Sequence, residues 1–453
     1  MRVNRAVIMV VGVIFNLILL QHVVAETVYF ALSSSREDVQ TAIDLAFDGD
    51  RVVIPPGSST WTSTLVIDKA IVLQGPGTYS VNAGHEDTGS WPLVITFSSL
   101  SGSGISVDVR TGSYVRITGI SFRGTVPGPM IQAVGAIQIL NSNTTPWRVD
   151  NCRFELVGNS IGIGASALGG LVDHVYVYEN GSSLTGYIVV RDDRNDGLGN
   201  WAIAQPINFG SSSFVFIEDS TFWKTVADAS VSPTAVDAQA GGKFVFRHNY
   251  LQNAFVTWHG AESSAPERSG YAFEIYNNEF YWARADWRYH AAIFHRGGAA
   301  MVYNNTVTNF NALWKTWTAR ATESFGVFGQ ADGTKAWDGN WGAPYPTGYP
   351  LLDQPGTGQA AGWGYSGIYE PLNVQPQAMR KTYIWNNTLV NSNAVAHNNP
   401  SYVVEGRDYE ISTGDAAMPS SYEAFPYPHP MQSGTVVLPV QNPPEPPRRL
   451  RIQ

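Results

Sequence analysis

The chain has 453 residues, a formal net charge of -9 at pH 7 and only 14% charged residues. This acidic balance argues against nucleic-acid binding, which usually shows a basic excess. The single cysteine, Cys152, excludes an intramolecular disulfide and argues against a cysteine-based metal site. With 44 glycines, 14 tryptophans, 21 tyrosines and 20 phenylalanines, the composition indicates an all-β protein with aromatic surface.

The first 25 residues have the pattern of a secretory signal peptide. Arg2 and Arg5 precede an apolar run from Ala6 to Leu20, and Ala25 suits a cleavage site. The alternative is an uncleaved membrane anchor, but the run is short for a span. No later segment is apolar enough to cross a bilayer. We therefore predict a secreted protein, extracellular or periplasmic, without stable membrane insertion after cleavage.

The next predicted elements are a helix and short strands. DVQTAIDLAFDGDRVVIPPG, residues 38–57, predicts an amphipathic helix, a DGD turn and a strand that ends in Pro-Pro-Gly. TSTLVIDKAIVLQGPG, residues 62–77, predicts two strands around Asp68 and Lys69. A helix in this position would cover the open end of a solenoid, as terminal caps must.

A short motif then recurs along most of the chain. An apolar residue is followed by a variable one, a polar turn former, and soon afterwards Phe, Leu or Val. The segments that share it are VRITGISF (from Val115), RVDNCRF (from Arg148), LVDHVYV (from Leu171), FIEDSTF (from Phe216), VFRHNYL (from Val245), EIYNNEF (from Glu274), MVYNNTV (from Met301) and YIWNNTL (from Tyr383). Its anchors Phe246, Ile275 and Val302 are 29 and 27 residues apart, which matches the coils of a right-handed parallel β-helix.

The Asn pairs in these segments suit the corners of such a coil. One corner residue must leave the β region of backbone space, and Asn does so at low cost. Coils stack at roughly 4.8 Å, the ordinary distance between strands. Equivalent Asn amides can therefore hydrogen-bond up the stack. We expect these asparagines to be structural, with the following Phe, Val or Leu packed inside.

The opening segment, the Asn-Asn-x-[Phe/Val/Leu] corners and the motif YPHP (Tyr427–Pro430) resemble secreted right-handed parallel β-helix proteins of the pectate-lyase-like superfamily. This resemblance implies an all-β, single-stranded right-handed parallel β-helix with an N-terminal capping helix. We assign it to residues 26–435, followed by a Pro-rich tail at residues 436–453. Because one fold hosts many functions, the activity has to be argued from side chains.

A long stretch, residues 311–380, interrupts the predicted coils. It is rich in turn formers, and the anchors on either side, Val302 and Ile384, are 82 residues apart. Loops of such length in a compact fold are usually lids or binding loops. We expect its aromatic side chains to stack on sugar rings. The alternative is that they only pack the loop onto the solenoid.

Basic and imidazole groups concentrate just before this loop. In a chain of net charge -9, such a cluster predicts an anionic ligand. A polyuronate supplies one carboxylate per sugar, which Arg can bind through two hydrogen bonds. Counting from the anchors places Arg268 beside His295, and counting forward by 13 places His259 beside Arg288.

These residues predict a polysaccharide lyase that acts by β-elimination on an acidic polysaccharide. A base must remove the proton next to the carboxylate while a cation stabilises the enolate. His259 is the candidate base because its reference pKa lies near neutrality, and Arg268 and Arg296 are candidates for binding the carboxylate. Asp237 and Glu262 would orient His259 or contact a sugar. The other predicted substrate-binding residues are Arg288, His295, Trp337, Trp341 and Trp363.

Several alternatives stay open at this point. A glycoside hydrolase would use two carboxylates on the same fold, and a non-catalytic glycan-binding or cell-surface solenoid would use none. RDDRNDGLGN, residues 191–200, is acidic, but Arg194 and Ile203 break the spacing of a Ca²⁺ loop. We therefore predict no cofactor, with Ca²⁺ as the alternative. The predicted partner is a polysaccharide, and we expect a monomer that binds no nucleic acid.

Overall fold

The computed structural model describes most of the chain between Glu26 and Gly434. The described residues are 26–98, 102–109, 112, 114–124, 135–140, 145–155, 160–164, 169–179, 186–193, 197–225, 234–262, 267–284, 291–321, 351–359, 377–398, 401–414 and 418–434. The predicted leader at residues 1–25 and the tail at residues 436–453 lie outside them. Within these ranges no helix is long and apolar enough to cross a membrane.

Three parallel sheets wind around one axis as a right-handed parallel β-helix, which confirms the predicted fold class. Sheet A consists of β1 Val28–Phe30, β2 Arg51–Val53, β5 Val72–Gln74, β8 Val115–Thr118, β11 Trp147–Asp150, β14 Leu171–Asp173, β17 Val215–Glu218, β20 Lys243–Arg247, β23 Ala272–Tyr276, β26 Ala299–Tyr303, β29 Thr382–Trp385 and β32 Tyr409–Ser412. Sheet B consists of β3 Gly57–Trp61, β6 Leu93–Phe97, β9 Ser121–Gly124, β12 Arg153–Glu155, β15 Tyr176–Glu179, β18 Thr221–Lys224, β21 Tyr250–Gln252, β24 Glu279–Tyr281, β27 Thr306–Thr308 and β30 Thr388–Val390. Sheet C consists of β4 Leu65–Ile67, β7 Ile105–Val107, β10 Ile137–Ile139, β13 Ile161–Ile163, β16 Gly186–Arg191, β19 Thr234–Gln239, β22 Phe255–Thr257, β25 Ile293–His295, β28 Ala312–Thr316 and β31 Asn393–His397. The described helices are α1 Arg36–Leu45 and α2 Asn200–Ile203, with 3-10 turns at Ala319–Ala321 and Pro430–Ser433.

The predicted anchors stack in register along sheet A. Ile217 pairs with Phe246, Phe246 with Ile275, and Ile275 with Val302. Val302 then pairs with Ile384 across the long insertion. All five side chains are buried in the core. The repeat read from the sequence is therefore an inward-facing column of this sheet.

Helix α1 closes the N-terminal end of the solenoid, as predicted. Ser35 is its N-cap, and the Ser35 Oγ accepts a hydrogen bond from the backbone N–H of Asp38 at 3.2 Å. Val39, Ala42 and Ile43 are buried on its inner face, so the helix covers apolar side chains of the first coil. The two strands predicted in residues 62–77 are β4 and β5.

The two residues of each Asn pair do different work at the corner between sheets A and B. The first has a left-handed backbone, with φ of 56° at Asn277 and 53° at Asn304, and an exposed side chain. The second is buried in a ladder: Asn249 Nδ2 donates to Asn278 Oδ1 at 3.1 Å, and Asn278 Nδ2 donates to Asn305 Oδ1 at 3.0 Å. This ladder satisfies polar groups that the corner would otherwise bury unpaired, which confirms its predicted structural role.

Asn278→Ala breaks this ladder, and we expect it to lower the free energy of unfolding by about 1–3 kcal/mol. The reason is that the Phe246 carbonyl oxygen and the neighbouring amides lose buried hydrogen bonds. Asn277→Gly in the same corner is the matched control, since Gly adopts its φ of 56° freely. Urea unfolding followed by circular dichroism measures both variants. Equal losses in the two would contradict the proposed division of roles.

A C-terminal strap, residues 418–434, runs back over the outer face of sheet A. Near its start, Tyr422 Oη donates to Glu274 Oε2 in β23 at 2.6 Å. Near its end, Arg148 Nη1 in β11 donates to the Met431 carbonyl oxygen at 3.0 Å. The strap therefore connects coils that lie far apart along the solenoid axis.

The regular coils continue further than the sequence predicted. Strand β28 lies inside the stretch that we expected to interrupt the solenoid from residue 311, and its Lys315 pairs with Phe294 of β25. The interruption therefore begins after β28, because its pairing with β25 continues through Thr316. The predicted sugar-stacking residues of the loop, Trp337, Trp341 and Trp363, lie outside the described residues.

Candidate functional site

The outer face of sheet C carries two parallel columns of side chains, because every second residue of a strand points outward. Thr257 pairs with Phe294, and Phe294 pairs with Lys315. Two positions further along their strands, His259, Arg296 and Trp317 form the adjacent column. These six positions, together with the neighbouring Asp237 and Gln239 of β19, are called the sheet C face below.

His259 lies between two carboxylates on this face. Its Nε2 is 3.1 Å from Asp237 Oδ2, and its Nδ1 is 3.4 Å from Glu262 Oε2. Arg296 completes the cluster, since its Nη1 donates to Glu262 Oε1 at 2.8 Å and its Nε donates to the Trp258 carbonyl oxygen at 2.8 Å. The structure thus brings together four of the predicted site residues, Asp237, His259, Glu262 and Arg296.

Local backbone geometry fixes the cluster. Trp258 points inward and stacks on Phe273 with ring centroids 3.8 Å apart, which anchors the end of β22. At Gly260 a Cβ atom would lie 2.7 Å from the Arg296 carbonyl oxygen, so the close approach of the two coils requires glycine there. The backbone N–H of Gly260 also donates to Glu262 Oε1 at 3.0 Å, which turns this carboxylate toward Arg296.

The pKa of His259 is raised to about 9. Burial alone would lower it, but the negative charge of Asp237 outweighs burial, and Glu262 adds to the effect. The pKa of Asp237 and that of Glu262 are lowered, because His259 and Arg296 counteract the opposing effect of burial. At neutral pH the cluster therefore consists of an imidazolium and a guanidinium held by two carboxylates.

We expect this imidazolium to make stability depend on pH. Because the folded pKa of about 9 exceeds the ordinary 6.5, His259 contributes stability that is complete below about pH 6.5 and lost as the pH rises through 9. The loss is on the order of 3 kcal/mol. Urea unfolding between pH 6 and pH 10 measures it, with His259→Gln as the reference that lacks this slope. Parallel pH profiles for the two proteins would contradict the assignment.

Two cations flank the ring of Phe294. The guanidinium carbon of Arg296 is 5.5 Å from the ring centroid, and the Lys315 Nζ is 5.8 Å from it. Burial lowers the pKa of Lys315, and within the described residues its ammonium forms no hydrogen bond or ion pair. Trp317 lies parallel to the Phe294 ring with a centroid distance of 6.2 Å. The face thus combines cations with flat aromatic surfaces.

Arg268, a predicted carboxylate-binding residue, lies elsewhere. Its guanidinium is fully buried and forms a bidentate pair with Asp353, with Nη2–Oδ1 at 2.6 Å and Nε–Oδ2 at 2.8 Å. Asp353 also accepts from the backbone N–H of Ser269 and from Gln377 Nε2. A side chain saturated in this way does not face solvent, and we leave Arg268 out of the proposed site.

His295, a predicted substrate-binding residue, points into the core. It is the last residue of β25, one position before the outward-facing Arg296, so the alternation of the strand turns it inward. Its Nε2 contacts the Gly298 carbonyl oxygen at 2.9 Å, and Trp314 Nε1 donates to its Nδ1 at 3.0 Å. Burial lowers its pKa to about 3, so it is neutral and structural.

The remaining predicted residues lie outside the described part of the chain: Arg288, Trp337, Trp341 and Trp363. Conversely, sequence reasoning missed Lys315, Phe294 and Trp317. The alternating run ALWKTW, residues 312–317, is the signal that would have found two of them. Its outward positions are Lys315 and Trp317, but the run was assigned to the long loop.

No arrangement of three or more His, Cys, Asp or Glu side chains in the described residues suits a metal ion. The acidic segment at residues 191–200 is only partly described, since residues 194–196 lie outside. Within it, Arg191 Nε and Asp193 Oδ2 are 3.1 Å apart. The calcium alternative at this segment stays a prediction.

Comparison with known proteins finds solved structures that are similar to this chain, but with low sequence identity and low TM-scores. No protein-family model and no curated protein matches the chain. The A-module of the mannuronan C-5 epimerase AlgE6 from Azotobacter vinelandii is similar over 87% of this chain and 92% of that chain, with 13% identity and a TM-score of 0.42. A PL6 family polysaccharide lyase from Pseudopedobacter saltans is similar over 88% and 95%, with 13% identity and a TM-score of 0.40. The PL6 family alginate lyase AlyGC is similar over 91% and 58%, with 12% identity and a TM-score of 0.39. Such values carry no argument about the reaction, which has to be derived from this chain's own side chains.

Proposed function

We propose that the protein is a polysaccharide lyase that breaks an acidic, uronate-containing polysaccharide by β-elimination on the sheet C face. The observation that carries this proposal is the pair of cations on either side of Phe294. Arg296 is fixed by Glu262 through Nη1, and its Nη2 has no hydrogen-bond partner among the described residues. Lys315 is the second cation, with a lowered pKa. One group can bind a carboxylate while the other takes a proton.

The proposed reaction assigns one role to each of these groups. Arg296 Nη2 binds the uronate carboxylate, and the His259 imidazolium adds positive charge beside it, so that the enolate formed there is stabilised. The amine of Lys315, after losing its own proton, takes the proton from the carbon that bears the carboxylate. The electron pair of that C–H bond forms the new double bond as the bond to the neighbouring glycosidic oxygen breaks. Water protonates the departing oxygen.

His259 has a different role here from the one that the sequence predicted. A pKa of about 9 keeps His259 charged at neutrality, and a base needs a nitrogen lone pair that is open to the substrate. Both of its ring nitrogens also face carboxylates. We therefore assign the base to Lys315, whose side-chain nitrogen forms no hydrogen bond or ion pair within the described residues, and retain His259 as a fixed positive charge.

The same electrostatics favour a lyase over a glycoside hydrolase. A hydrolase of the usual kind needs one carboxylic acid that keeps its proton, and hence a raised pKa. Asp237 and Glu262 are the carboxylates of this cluster, and the pKa of each is lowered. Neither is suited to protonate a leaving group at neutral pH.

Lys315→Met tests the proposal directly. We expect the wild-type protein to release unsaturated products from pectate, alginate or chondroitin-type polymers, followed by ultraviolet absorbance. Loss of the base should slow this release by about 10²–10⁴-fold. Lys381→Met is the matched control, since Lys381 pairs with Glu410 on another sheet. Absence of products from the whole panel together with retained glycan binding would favour the non-catalytic solenoid instead.

An extracellular polymer as substrate agrees with the predicted leader. We propose that residues 1–25 direct export and that the mature chain acts outside the cell or in a periplasm. N-terminal sequencing of the exported protein tests this, since it should begin near residue 26.

A further inference from the structure

A second groove lies at the corner between sheets A and B, away from the sheet C face. It encloses about 650 Å³. Its floor is the outer column of corner residues from five successive coils, all with positive φ: His174, Asp219, His248, Asn277 and Asn304. Because coils stack at roughly 4.8 Å, this floor is about 19 Å long.

One wall of the groove is a hairpin formed by residues 78–90. The hairpin is attached to sheet B by several contacts, two of which lie at the groove. Tyr79 Oη lies 2.9 Å from Thr221 Oγ1 in a hydrogen bond, and His85 stacks on Tyr250 with ring centroids 3.8 Å apart. These contacts hold the wall in position beside the floor.

The other wall belongs to the C-terminal strap. Tyr427 is 45% exposed, stacks on His248 with ring centroids 3.6 Å apart, and donates from Oη to Asp219 Oδ1 at 2.6 Å. Floor and walls are thus connected by hydrogen bonds and ring stacking, so the groove is formed before any ligand arrives. A preformed site loses less conformational entropy on binding.

The groove offers hydrogen-bonding groups without positive charge from Lys or Arg. No Lys or Arg is among its described lining residues, which include the carboxylates of Asp219 and Glu279 and hydroxyls such as that of Thr306. A polyanion would meet these carboxylates with no lysine or arginine to bind it. Amides, hydroxyls and phenol rings instead match the hydroxyl groups and flat faces of an uncharged sugar.

We propose that this groove binds a neutral oligosaccharide, independently of the acidic polymer on the sheet C face. The protein then holds one neutral and one acidic glycan on different sides of one solenoid. Such a chain would remain attached to a mixed polysaccharide matrix while the sheet C face contacts the acidic component.

Isothermal titration calorimetry tests the proposal with short oligosaccharides of glucose, mannose, xylose and galactose, and with uronate oligosaccharides for comparison. We expect saturable binding of at least one neutral series. The double variant Asn277→Gly/Asn304→Gly should weaken it by about tenfold or more, because two hydrogen-bonding side chains are removed from the floor. Asn391→Gly, which changes another positive-φ asparagine outside the groove, should bind as the wild type does.

To show that the two sites act independently, each variant is also measured in the assay of the other site. Arg296→Ala should leave the neutral-sugar affinity unchanged, and the double variant should leave product release from acidic polymers unchanged. No binding of any neutral oligosaccharide, binding that survives the double variant, or binding of uronate oligosaccharides in this groove would each overturn the proposal.

Discussion

Arg296→Ala should abolish most product release from an acidic polysaccharide, by about 10²–10³-fold in kcat. The guanidinium is the only cation of the described cluster that is both fixed, through Glu262 and the Trp258 carbonyl oxygen, and left with a donor to offer. Without it the developing enolate faces a cluster in which His259 alone opposes two carboxylates. The measurement is the rate of rise in ultraviolet absorbance from unsaturated products.

Arg123→Ala is the matched control for this variant. Arg123 also forms an Arg–Glu pair, with Glu155 on sheet B, but its side chain is 48% exposed and lies far from the site. Circular dichroism and thermal unfolding have to show that both variants fold. An Arg296→Ala protein that is folded and retains activity within a few-fold of the wild type would contradict the proposed role.

Arg268→Ala should act on stability, with a loss of about 3–5 kcal/mol in the free energy of unfolding. Arg268 and Asp353 are both fully buried and paired by two short hydrogen bonds. Truncating the arginine leaves the carboxylate in the interior without its counter-charge, and burial of an unpaired charge is costly. Urea unfolding gives the change, with Arg123→Ala expected within about 0.5 kcal/mol of the wild type.

The double variant Arg268→Met/Asp353→Leu separates charge burial from other causes. Replacing both members of a buried pair by apolar residues of similar size removes the unpaired charge, so we expect part of the lost stability to return, while the Ser269 N–H and Gln377 Nε2 stay without their acceptor. If Arg268→Ala unfolds at the wild-type urea concentration and yet releases no product, Arg268 acts directly on the substrate and our placement of the site is wrong.

The fold could be predicted because its information is local and repeated. Each corner needs a residue that tolerates positive φ, and each needs an apolar residue in the same place, so Phe246, Ile275 and Val302 are recognisable from spacing alone. The Asn ladder follows from the same spacing, since equivalent amides lie one above the other. The confirmed capping helix carries its own signals in Ser35 and the apolar face of α1.

The site could be predicted only in part. Positions were counted from sheet A, whereas the site is on sheet C, and loops of variable length separate the two sheets. Counting from sheet A placed His259 beside Arg288, whereas sheet C pairs Thr257 with Phe294 and so brings His259 next to Arg296. The number of residues between sheets differs from coil to coil, and this shifts the count. Side-chain type still identified Asp237, His259, Glu262 and Arg296 as site residues, because imidazole, carboxylate and guanidinium groups are concentrated in neighbouring coils.

The other residues could not be placed from the sequence, in the first case because the partner is far away along the chain. Arg268 and Asp353 are 85 residues apart, and nothing in the local sequence of either residue indicates the other. His295 differs from Arg296 by one position, and that single step decides between core and surface in a strand. Lys315 was missed because strand β28 lies at the start of the stretch rich in turn formers that was predicted as a single long loop.

The strap has a consequence for the order in which the molecule reaches its final state during synthesis. A stack in which each coil touches only its neighbours can form progressively from its first turn as the polypeptide is made. Here the hydrogen bond from Arg148 to the Met431 carbonyl oxygen can form only after 283 more residues have been synthesised. The hydrogen bond from Tyr422 to Glu274 likewise forms only after Tyr422 has been added. The early coils therefore gain their last hydrogen bonds only when translation of the described chain is almost finished.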